Sequence, residues 1–373
     1  MKRIEDIGII LYPEEQRQNG LVGKFLSLPG KRHRAFRNEE DLSDAIDEAR
    51  GEGLSSKEVL ILKEFRGRFF QLCPGSPNMI CCRYLLLNTG FNCLYDCVYC
   101  YLNSYLNSFG IVQFTNVFRV LDEISAFYET CDRGRIYRVG TGEFTDSLMM
   151  DEVTGIGRAI IEHTSGMPNI MMELKTKSDN IDHLLDIRRK GNVVIAWSLN
   201  TQRNIDRYEK DSGSLESRIS AAARAAAAGY FVAFHFDPVI LYPEWEREYT
   251  TLIEELFDAV SPERIVWISM GGFRYAPDFR EAVRVRFPEE DITTAEMFPG
   301  RDGKFRYFKP IRRTVYRTLV EKIISRGGRP FIYLCMEGSD MWKDVFDKTY
   351  HSSGELELDI SEHLKRHFPL FHR

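Results

Sequence analysis

Near-continuous apolar runs, separated by gaps long enough for a helix, most constrain how this chain can fold. The clearest runs are 83–88, 136–139, 170–176, 193–198, 230–236 and 264–269. Runs of this length with little polar alternation are typical of strands covered on both faces, as in a parallel sheet. The repeated strand–helix units predict an α/β fold, either a partial parallel barrel or a doubly wound sheet.

The gaps between the runs carry helical patterns. Apolar residues recur at three-to-four spacing over 116–130, 151–164 and 179–189. The clearest helix is 214–228, where Ser214 can cap the first turn and Gly229 ends the run. Its alanine-rich part predicts a helix packed closely on a sheet.

Segments on both sides of this core predict extensions. Residues 39–50 and 56–69 have helical patterns, 330–335 is typical of a further strand, and 355–373 predicts a short surface helix. We therefore expect a helical or mixed N-terminal extension over 1–80, a partial barrel over 81–290 and a C-terminal extension over 291–373.

Charge and composition exclude several classes of protein. The 373 residues include 50 Lys and Arg against 55 Asp and Glu, a net charge of −5, which argues against non-specific coating of nucleic acid. Eight cysteines are too few for a disulfide scaffold at this length. The chain opens without the apolar stretch of a signal peptide, and it has no apolar run of about 18 residues. These features predict a cytoplasmic location and no membrane partner.

Three cysteines in one short loop carry the strongest chemical signal. Cys93, Cys97 and Cys100 have the spacing Cys-x3-Cys-x2-Cys and follow the first strand, where barrel loops build active sites. Three thiolates can wrap an iron–sulfur cube and leave its fourth iron open to a small chelating molecule. The alternative is a zinc site or buried cysteines, but a structural zinc site needs four closed ligands.

Several stretches, taken in chain order, carry a family resemblance over about residues 80–345. They are 98–102, 143–147, 173–177, 197–200, 234–238, 268–274, 306–310 and 333–337. The cysteine spacing resembles the radical S-adenosylmethionine (SAM) superfamily, and the ordered stretches resemble spore photoproduct lyase and its relatives. The resemblance implies a partial (β/α)6 TIM-type barrel with N- and C-terminal extensions. It also implies a carbon–carbon lyase that reverses a thymine dimer in DNA.

The resemblance implies two cofactors. A [4Fe-4S] cluster would be bound by Cys93, Cys97 and Cys100, with SAM on the open iron and reductive cleavage of SAM to a 5′-deoxyadenosyl radical. An external one-electron donor of the flavodoxin or ferredoxin type would supply the electron. The residues that match SAM-contacting positions are Glu143, Thr145, Lys177 and Ser198.

Two tyrosines and a histidine complete the set of residues predicted to lie near the cofactors. Tyr99 is implied to pack near the adenine of SAM, and Tyr99 and Tyr101 match tyrosines that the family uses near the cluster and in radical transfer. His235 could orient SAM or substrate, or it could be a hydrogen-bonded core histidine. Asp146 and Ser147 could contact ligand or cap the following helix.

Two basic stretches predict where a nucleic acid could bind. Residues 24–37 and 301–317 hold clustered Lys and Arg with almost no acids, and the second interleaves aromatic residues. Positive charge positions phosphates and an aromatic ring can stack on a flipped base, although a charge run is usually a solvated face. The resemblance implies a lesion-holding hairpin at Arg306 and Tyr307, and Lys309 completes the predicted substrate-binding set. A DNA or nucleotide substrate is therefore expected.

One position departs from the family pattern. The spore lyase has a cysteine beyond the second strand that returns hydrogen to the thymine radical, and Glu143 stands there in this chain. A carboxylic acid cannot donate a hydrogen atom as a thiol does, and Glu143 instead resembles an acidic element that contacts the SAM ammonium. Cys131 and Cys335 remain as thiols. Cys335 joins Tyr99 and Tyr101 in the predicted catalytic set, with a buried structural cysteine as the alternative.

Two classes of function therefore stay open from the sequence. The first is a radical SAM enzyme, acting on a DNA photolesion or, because of Glu143, on another nucleic acid, a small molecule or a peptide. The second is a non-catalytic iron–sulfur or zinc protein that binds nucleic acid.

Overall fold

The computed structural model describes residues 1–105 and 109–368 as a mixed α/β fold. The strands in chain order are β1 Ile9–Pro13, β2 Arg32–Phe36, β3 Val59–Lys63, β4 Phe70–Leu72, β5 Leu85–Leu87, β6 Gly90–Phe91, β7 Asp96–Cys97, β8 Ile111–Phe114, β9 Tyr137–Gly140, β10 Ile170–Thr176, β11 Val193–Ser198, β12 Glu209–Lys210, β13 Phe231–Val239, β14 Ile265–Gly272, β15 Arg274–Tyr275, β16 Phe298–Pro299, β17 Phe305–Arg306 and β18 Phe331–Leu334. The helices are α1 Gly20–Leu26, α2 Glu39–Gly51, α3 Leu102–Tyr105, α4 Val120–Thr130, α5 Asp151–Thr154, α6 Ile156–Thr164, α7 Asp182–Leu185, α8 Gln202–Tyr208, α9 Leu215–Ala227, α10 Trp245–Ala259, α11 Phe279–Arg286, α12 Lys309–Ser325, α13 Ser339–Phe346 and α14 Ser353–His367.

The larger sheet is a curled half-barrel. Its strand order is β18-β14-β13-β11-β10-β9-β5-β4, with parallel neighbours from β18 to β5 and an antiparallel β4 at the edge. The predicted partial barrel is confirmed, and β10 and β11 have the predicted bounds. Continuous burial along β11 agrees with the apolar run that predicted it, because helices or side chains cover both faces of such strands.

The predicted helix after β11 is also confirmed. In α9 the Ser214 side chain caps Ser217 N–H, and Gly229 beyond the helix has a φ of 98°. Ala221 and Ala225 are fully buried on the face that packs against β11 and β13. Small side chains therefore bring this helix close to the half-barrel.

Two predicted helices are wrong in whole or part. The helix over 56–69 is absent, and Val59–Lys63 is a buried strand instead, because a short apolar run does not distinguish a buried strand from a helix. The helix over 179–189 shortens to Asp182–Leu185. Beyond it, the Lys190 ammonium donates to the carbonyls of Leu185 and Ile187, which a continuing helix would pair with backbone N–H groups.

A second sheet lies in the N-terminal half of the chain. Its order is β2-β1-β3-β8-β6, parallel except that β6 runs antiparallel to β8. The predicted helix over 39–50 is confirmed as α2. This sheet includes β6 and β8, which flank the cysteine loop in sequence. The predicted division at residue 80 stays a prediction.

The half-barrel is closed on one side by the segment 73–82, which bridges its first and last strands. Ile80 forms a β-bridge with Glu337, just beyond β18, and Cys73 N–H donates to Tyr84 O at 2.8 Å. We call the space between this segment and the carboxyl ends of the strands the barrel mouth. The predicted C-terminal surface helix is confirmed as α14 over Ser353–His367, and residues 369–373 lie outside the described chain.

In the two described ranges, no helix combines the length and the apolar character needed to cross a membrane.

Candidate active site at the barrel mouth

The cysteine loop follows β5 and lies beyond the carboxyl ends of the parallel strands. Its middle forms β7, which pairs antiparallel with β12 so that Cys97 stands opposite Glu209. Val98 N–H donates to Tyr208 O at 2.8 Å, and Cys100 N–H donates to Cys97 O at 3.1 Å. The loop is therefore ordered by backbone bonds, and its three thiols form no disulfide.

Lys57, a buried lysine just before β3, supports the start of this loop. Lys57 is 5% exposed, and its ammonium donates to Asn92 Oδ1 and, at 2.9 Å, to Cys93 O. Asn92 has a φ of 64°, so the chain turns there in the left-handed conformation. Asp96 lies 4.0 Å from the same ammonium and accepts from Arg286 at 2.6 Å. Cations thus hold the beginning and the middle of the loop.

The three thiols lie near one another, as the cluster that the family resemblance implies would require, because Cys93 interacts with Cys100 and Cys97 interacts with both. Burial raises the pKa of Cys93 to about 11 and the pKa of Cys97 well above its usual value, so the metal-free thiols stay protonated. Iron binds thiolates, and ligation therefore reverses this preference. Lys57 and Lys177 are the cations that act against burial at Cys93 and Cys97 respectively. The same charges would offset those of bound thiolates.

The zinc alternative finds no support in the side-chain arrangement. Over residues 1–105 and 109–368, no three His, Cys, Asp or Glu side chains converge on a position for one metal ion. A structural zinc site needs four ligands around such a point. An iron–sulfur cube instead receives each cysteine on a different iron.

Tyr99 is held by a buried ion pair behind the cysteine loop. Its hydroxyl donates to Glu209 Oε1, and the fully buried Arg218 lies 2.6 Å from Glu209 Oε2. Burial and the Glu209 carboxylate raise the pKa of Tyr99 well above its usual value. Lys177 Nζ lies 5.6 Å from the centroid of the Tyr99 ring. Two predicted cofactor contacts, Tyr99 and Lys177, therefore lie side by side.

Tyr101 reaches the loop that follows β9. Its hydroxyl donates to Glu143 O at 3.3 Å, and its ring packs edge-on against Tyr105 with centroids 5.8 Å apart. Burial and the nearby Glu143 raise the pKa of this phenol. The structure therefore brings Tyr101 to the position where the family resemblance places a cysteine and this chain has Glu143.

Glu143 faces a lysine that the sequence interpretation did not select. Glu143 Oε2 lies 3.7 Å from Lys175 Nζ. Gly142 permits this approach, because a Cβ there would lie 2.6 Å from Lys175 Cβ and 2.9 Å from Lys175 O. Burial lowers the pKa of Lys175, but Glu143 and other carboxylates raise it above its usual value. Lys175 therefore carries a positive charge at the mouth.

Thr145 has an unused hydrogen-bonding atom. Its Oγ1 is buried without a partner, which is rare unless a ligand or water completes the site. Asp146 instead accepts from backbone N–H groups, including that of Lys177 at 2.7 Å, and Ser147 Oγ accepts from Lys175 N at 3.0 Å. Asp146 and Ser147 therefore have structural roles, but neither caps the following helix α5, whose N-cap is Met150. A contact between Thr145 and a ligand stays a prediction.

His235 lies inside the half-barrel with both ring nitrogens engaged. Its Nδ1 is 2.7 Å from Ser269 Oγ and its Nε2 is 2.5 Å from Glu173 Oε1. Trp267 Nε1 donates to the same carboxylate oxygen at 3.2 Å. Burial opposes ionisation of Glu173, but His235 lowers the pKa of that carboxyl to about 2. These bonds match the core-histidine alternative, and a contact between His235 and SAM stays a prediction.

Ser198 ends β11 in register with His235 on β13. It is 8% exposed, and its carbonyl accepts from Arg218 Nη1 at 2.9 Å. Arg218 therefore connects two predicted cofactor positions, because it also holds the Glu209 carboxylate that anchors Tyr99.

Cys335 follows β18 and lies beside an ion pair. Arg274 Nη1 donates to Asp237 Oδ1 at 2.9 Å, and Arg274 Nη2 donates to Cys335 Sγ at 3.4 Å. Cys335 N–H donates to Met270 O at 2.8 Å, which extends the β14–β18 ladder. The pair fills the space beside Gly271, where a Cβ would lie 2.6 Å from Asp237 Oδ1.

Cys131, the other thiol considered from the sequence, lies at the opposite end of the strands. It follows α4, and its Sγ accepts from Asn169 Nδ2 at 3.3 Å. Asn169 directly precedes β10, so this contact is at the amino end of that strand. The structure therefore excludes Cys131 from the barrel mouth as described.

The predicted substrate residues Arg306 and Tyr307 have partners within the chain. Arg306 is 4% exposed and donates to both carboxylate oxygens of Asp302 at 2.7 Å. The Tyr307 hydroxyl accepts from Leu241 N at 3.1 Å. The predicted hairpin exists as β16–β17, but these two side chains stabilise it from inside. Their contact with substrate stays a prediction.

Lys309, the third predicted substrate residue, begins α12. Its ammonium pairs with Asp340 at 2.7 Å and Asp344 at 3.1 Å. The exposed aromatics of this region are Phe298 at 40% and Phe308 at 49%, with ring centroids 5.1 Å apart. Phe308 is one of the aromatic residues interleaved in the basic stretch 301–317, whereas Phe298 was not selected from the sequence. An aromatic residue near a basic run does not reveal from sequence whether its ring is exposed to water.

The N-terminal basic stretch, residues 24–37, is likewise engaged within the chain. Lys31 donates to Ile7 O at 2.9 Å, and Arg34 pairs with Glu48 on α2. Its cations therefore stabilise the second sheet, which matches the alternative of an ordinary structural surface.

Lys175 and Glu173 could have been found from the alternation of β10. Side chains two residues apart on a strand share a face, so Glu173, Lys175 and Lys177 point the same way. Glu173 and Lys175 lie on the buried strand and Lys177 directly follows it, and charged residues at such alternate positions indicate a polar interior. Lys57 gave no comparable signal, because its partners are distant in sequence.

The comparisons with known proteins agree on one family. A family model described as spore photoproduct lyase matches residues 82–325. Spore photoproduct lyase of Bacillus subtilis (strain 168) is 26% identical over 187 residues, covering 49% of this chain and 54% of that protein. The protein of the same name from Geobacillus sp. (strain Y412MC61) is 30% identical over 112 residues, 30% of this chain and 33% of that protein. The matched part thus spans about half the length of the Bacillus protein and about a third of the Geobacillus protein.

Solved structures agree on the fold. A spore photoproduct lyase complexed with dinucleoside spore photoproduct superposes with a TM-score of 0.71 at 21% identity, covering 88% of this chain and 98% of that chain. A variant with bound AdoMet and the same dinucleoside gives a TM-score of 0.71 at 21% identity. At this identity the likeness supports the fold alone.

Proposed function

The chain belongs to the spore photoproduct lyase family, and from that membership we propose that it is a radical SAM enzyme that repairs a thymine photolesion. The observation that carries the proposal is the arrangement at the barrel mouth. Three free thiols share one loop, and Cys97 interacts with Lys177, the residue that directly follows β10.

The residues proposed to hold the cofactors follow from that arrangement. Cys93, Cys97 and Cys100 would bind a [4Fe-4S] cluster, and the unpartnered Thr145 Oγ1 would bind SAM. The other proposed SAM contacts are Glu143, Lys177, Ser198, Tyr99 and His235. When bound, the pair supplies reductive cleavage of SAM and a carbon radical that abstracts hydrogen from substrate. A variant of a spore photoproduct lyase has been solved with AdoMet and dinucleoside spore photoproduct bound together.

The chain's own residues would position and shield these groups. Lys57 and the β7–β12 pairing fix the cysteine loop. The Glu209–Arg218 pair fixes the Tyr99 ring. Lys175 lies beside Glu143. The Glu143 carboxylate would accept a hydrogen bond from an ammonium group such as that of SAM.

Substrate recognition is proposed for the hairpin region. Arg306, Tyr307 and Lys309 would contact the lesion only after exchanging their internal partners, whereas Phe298 and Phe308 are already exposed. Aromatic rings stack on extruded bases without sequence preference. A low-potential flavodoxin or ferredoxin as the electron donor and a cytoplasmic location also belong to this proposal.

A turnover assay on dinucleoside spore photoproduct tests the function. After anaerobic reconstitution, the chain should form 5′-deoxyadenosine and repaired dinucleotide. A Cys97→Ala variant should lose both by at least about a thousandfold, since all the chemistry depends on the cluster. Cys131→Ala, at the far end of the strands, is the matched cysteine control and should retain activity. Failure of the wild-type chain to cleave SAM would overturn the radical SAM assignment.

A second candidate keeps the radical chemistry and changes the substrate. It is favoured by one observation, Glu143 in place of the family's hydrogen-donating cysteine. Under this alternative the chain forms 5′-deoxyadenosine but leaves the dinucleoside lesion unrepaired, which the same assay measures.

A further inference from the structure

Lys304 is a half-buried cation of the hairpin region whose ammonium has only neutral partners in the described part of the chain. It belongs to the basic stretch 301–317 and lies directly before β17. Its ammonium donates to Ser76 Oγ at 2.7 Å and to Met336 Sδ at 3.5 Å. Neither acceptor carries a charge, and a thioether sulfur is a weak acceptor. The positive charge of Lys304 is therefore not balanced by its partners.

The cations beside Lys304 are already paired with carboxylates. Arg306 donates to both oxygens of Asp302 at 2.7 Å. Arg274 donates to the two oxygens of Asp237 at 2.9 and 3.2 Å. Asp302 also accepts from the Lys304 backbone N–H at 3.3 Å, but its ion pair is with Arg306. Lys304 is thus an unpaired cation between two paired ones.

Three donors converge on the sulfur of Met336. Besides Lys304 Nζ at 3.5 Å, Arg274 Nε lies 3.4 Å and Ser76 Oγ lies 3.2 Å from Met336 Sδ. One weak acceptor therefore receives hydrogen bonds from two cations and a hydroxyl group. Hydrogen bonds from cations are strongest when the acceptor is an anion. This donor set consequently suits a negatively charged oxygen better than the thioether that now occupies it.

The electrostatic surroundings of Lys304 favour a bound anion as well. Burial and then the positive charge of Arg274 lower the pKa of Lys304, and Arg306 acts in the same direction, whereas Asp302 opposes them. A negative charge next to the ammonium would offset both its burial and the repulsion from the neighbouring cations.

The donor set lies at the barrel mouth, where the proposed substrate has to enter. Ser76 belongs to the segment 73–82 that closes the half-barrel, and Met336 follows β18. Arg274 holds Asp237 near the carboxyl end of β13. Two neighbouring thymines in a DNA strand are connected through one phosphodiester, so a charged oxygen comes to the mouth together with the joined bases. Phosphate contacts of this kind position a nucleic acid without reading its sequence.

We propose that Lys304, with Ser76 and Arg274 beside it, binds a phosphodiester of the DNA substrate at the barrel mouth. The inference rests on the proposed function and adds a contact that the dinucleoside substrate cannot make. A phosphate oxygen would replace the Met336 sulfur as the acceptor for Lys304, so no ion pair has to break. A substrate contact by Arg306, in comparison, requires its carboxylate partner to be exchanged.

Ligands that differ by the phosphate test this contact. Binding of dinucleotide and of dinucleoside spore photoproduct is measured by calorimetry on the reconstituted, SAM-loaded chain without reductant. Lys304→Met should weaken binding of the dinucleotide about tenfold, because a charge-assisted hydrogen bond is lost, and should leave the dinucleoside within about twofold. Lys304→Arg keeps the charge and should retain most of the dinucleotide affinity. Lys63→Met, which removes a lysine that pairs with Glu39 away from the mouth, is the control and should change neither.

A second measurement needs neither a lesion nor turnover. Binding of a short oligothymidylate is followed by fluorescence anisotropy over a series of salt concentrations. The slope of log Kd against log salt should fall by about 0.7 in Lys304→Met, which is the contribution of one phosphate contact to a single strand. The slope of Lys63→Met should equal that of wild type.

The outcomes separate this inference from the function on which it rests. If wild type cleaves no SAM or repairs no lesion, the proposed function fails, and the oligothymidylate slopes still decide the role of Lys304. A loss seen with a lesion in a longer strand but not with the dinucleotide assigns the site to a flanking phosphodiester and supports the proposal. An equal loss for dinucleotide and dinucleoside would show that Lys304 acts only by holding Ser76 and Met336. That result, or unchanged binding of every phosphate-containing ligand, would overturn the proposal.

Discussion

The barrel mouth and the N-terminal basic stretch 24–37 contain similar charged residues in opposite surroundings. In the stretch, Arg34 pairs on the surface with carboxylates of α2. At the mouth, Arg218 is fully buried and donates to several groups at once. The dense basic run 24–37 thus marks structural surface, whereas isolated cations at strand ends organise the candidate site.

The difference has an energetic consequence. An exposed ion pair gains little because water screens it and two long side chains lose freedom. A buried charge whose partner is removed cannot recover its hydration, so the loss is large. Four substitutions, described from the largest expected effect to the smallest, test this contrast.

Arg218→Met should have the largest effect. It leaves the Glu209 carboxylate, which is almost fully buried, without its charge partner. We expect a loss of about 3–5 kcal/mol in the free energy of unfolding. Urea denaturation followed by circular dichroism measures it. The double variant Arg218→Met/Glu209→Gln should recover part of the loss, and a single-variant loss below about 1 kcal/mol would contradict the buried-pair interpretation.

Glu173 should make stability depend on pH. Its pKa is lowered from 4.5 to about 2 in the folded chain, with His235 opposing the effect of burial. A carboxyl with a lowered folded pKa stabilises the fold above its unfolded pKa, and that contribution disappears as the pH falls from about 4.5 towards 2. Its full size is roughly 3 kcal/mol.

Urea midpoints measured between pH 6 and pH 3 test this dependence. The wild-type chain should lose stability over that interval more steeply than Glu173→Gln, which has no proton to gain at this position. Equal slopes for the two chains would show that Glu173 is not the responsible carboxyl.

Lys57→Met should have an intermediate effect on stability and a specific effect on the cysteine loop. It removes the donor to Asn92 Oδ1 and Cys93 O, and an unsatisfied buried acceptor costs about 1–3 kcal/mol. We also expect less iron bound per chain after reconstitution. Lys24→Met, a lysine on α1 away from the loop, is the control. Unchanged iron content in Lys57→Met would limit the role of Lys57 to stability.

Arg34→Gln should have the smallest effect. Its partners Asp41 and Glu48 are on the surface of α2, and exposed pairs contribute about 0–1 kcal/mol. Thermal unfolding in low and high salt should differ little between this variant and wild type. A loss as large as that of Lys57→Met would remove the contrast between the two regions.

The large sheet was predictable because its strands are buried on both faces. Val193–Ser198 is apolar almost throughout, and its bounds followed from the run itself. The error at 56–69 came from the same signal, since four consecutive apolar residues fit a buried strand or a buried helix equally. Length and neighbours decide such cases, and the neighbours of β3 are distant in sequence.

The candidate site was predictable where chemistry depends on local spacing. Cys93, Cys97 and Cys100 lie on one loop, so sequence alone groups them. The partners of Lys57 could not be predicted, because they are distant in sequence and only folding brings them near. The sequence identifies a basic residue but does not show whether its charge is paired with another group in the folded chain.

The path of the chain around the cysteine loop has a consequence for shortening this protein. The chain leaves the half-barrel after β5, joins the second sheet as β6, forms the cysteine loop, and returns to the second sheet as β8. Deleting the first 63 residues would therefore remove β3, the parallel neighbour of β8. The freed strand edge would offer unpaired backbone groups to other chains. A minimal catalytic fragment cut at the apparent start of the barrel should aggregate, and any shortened version needs the whole second sheet.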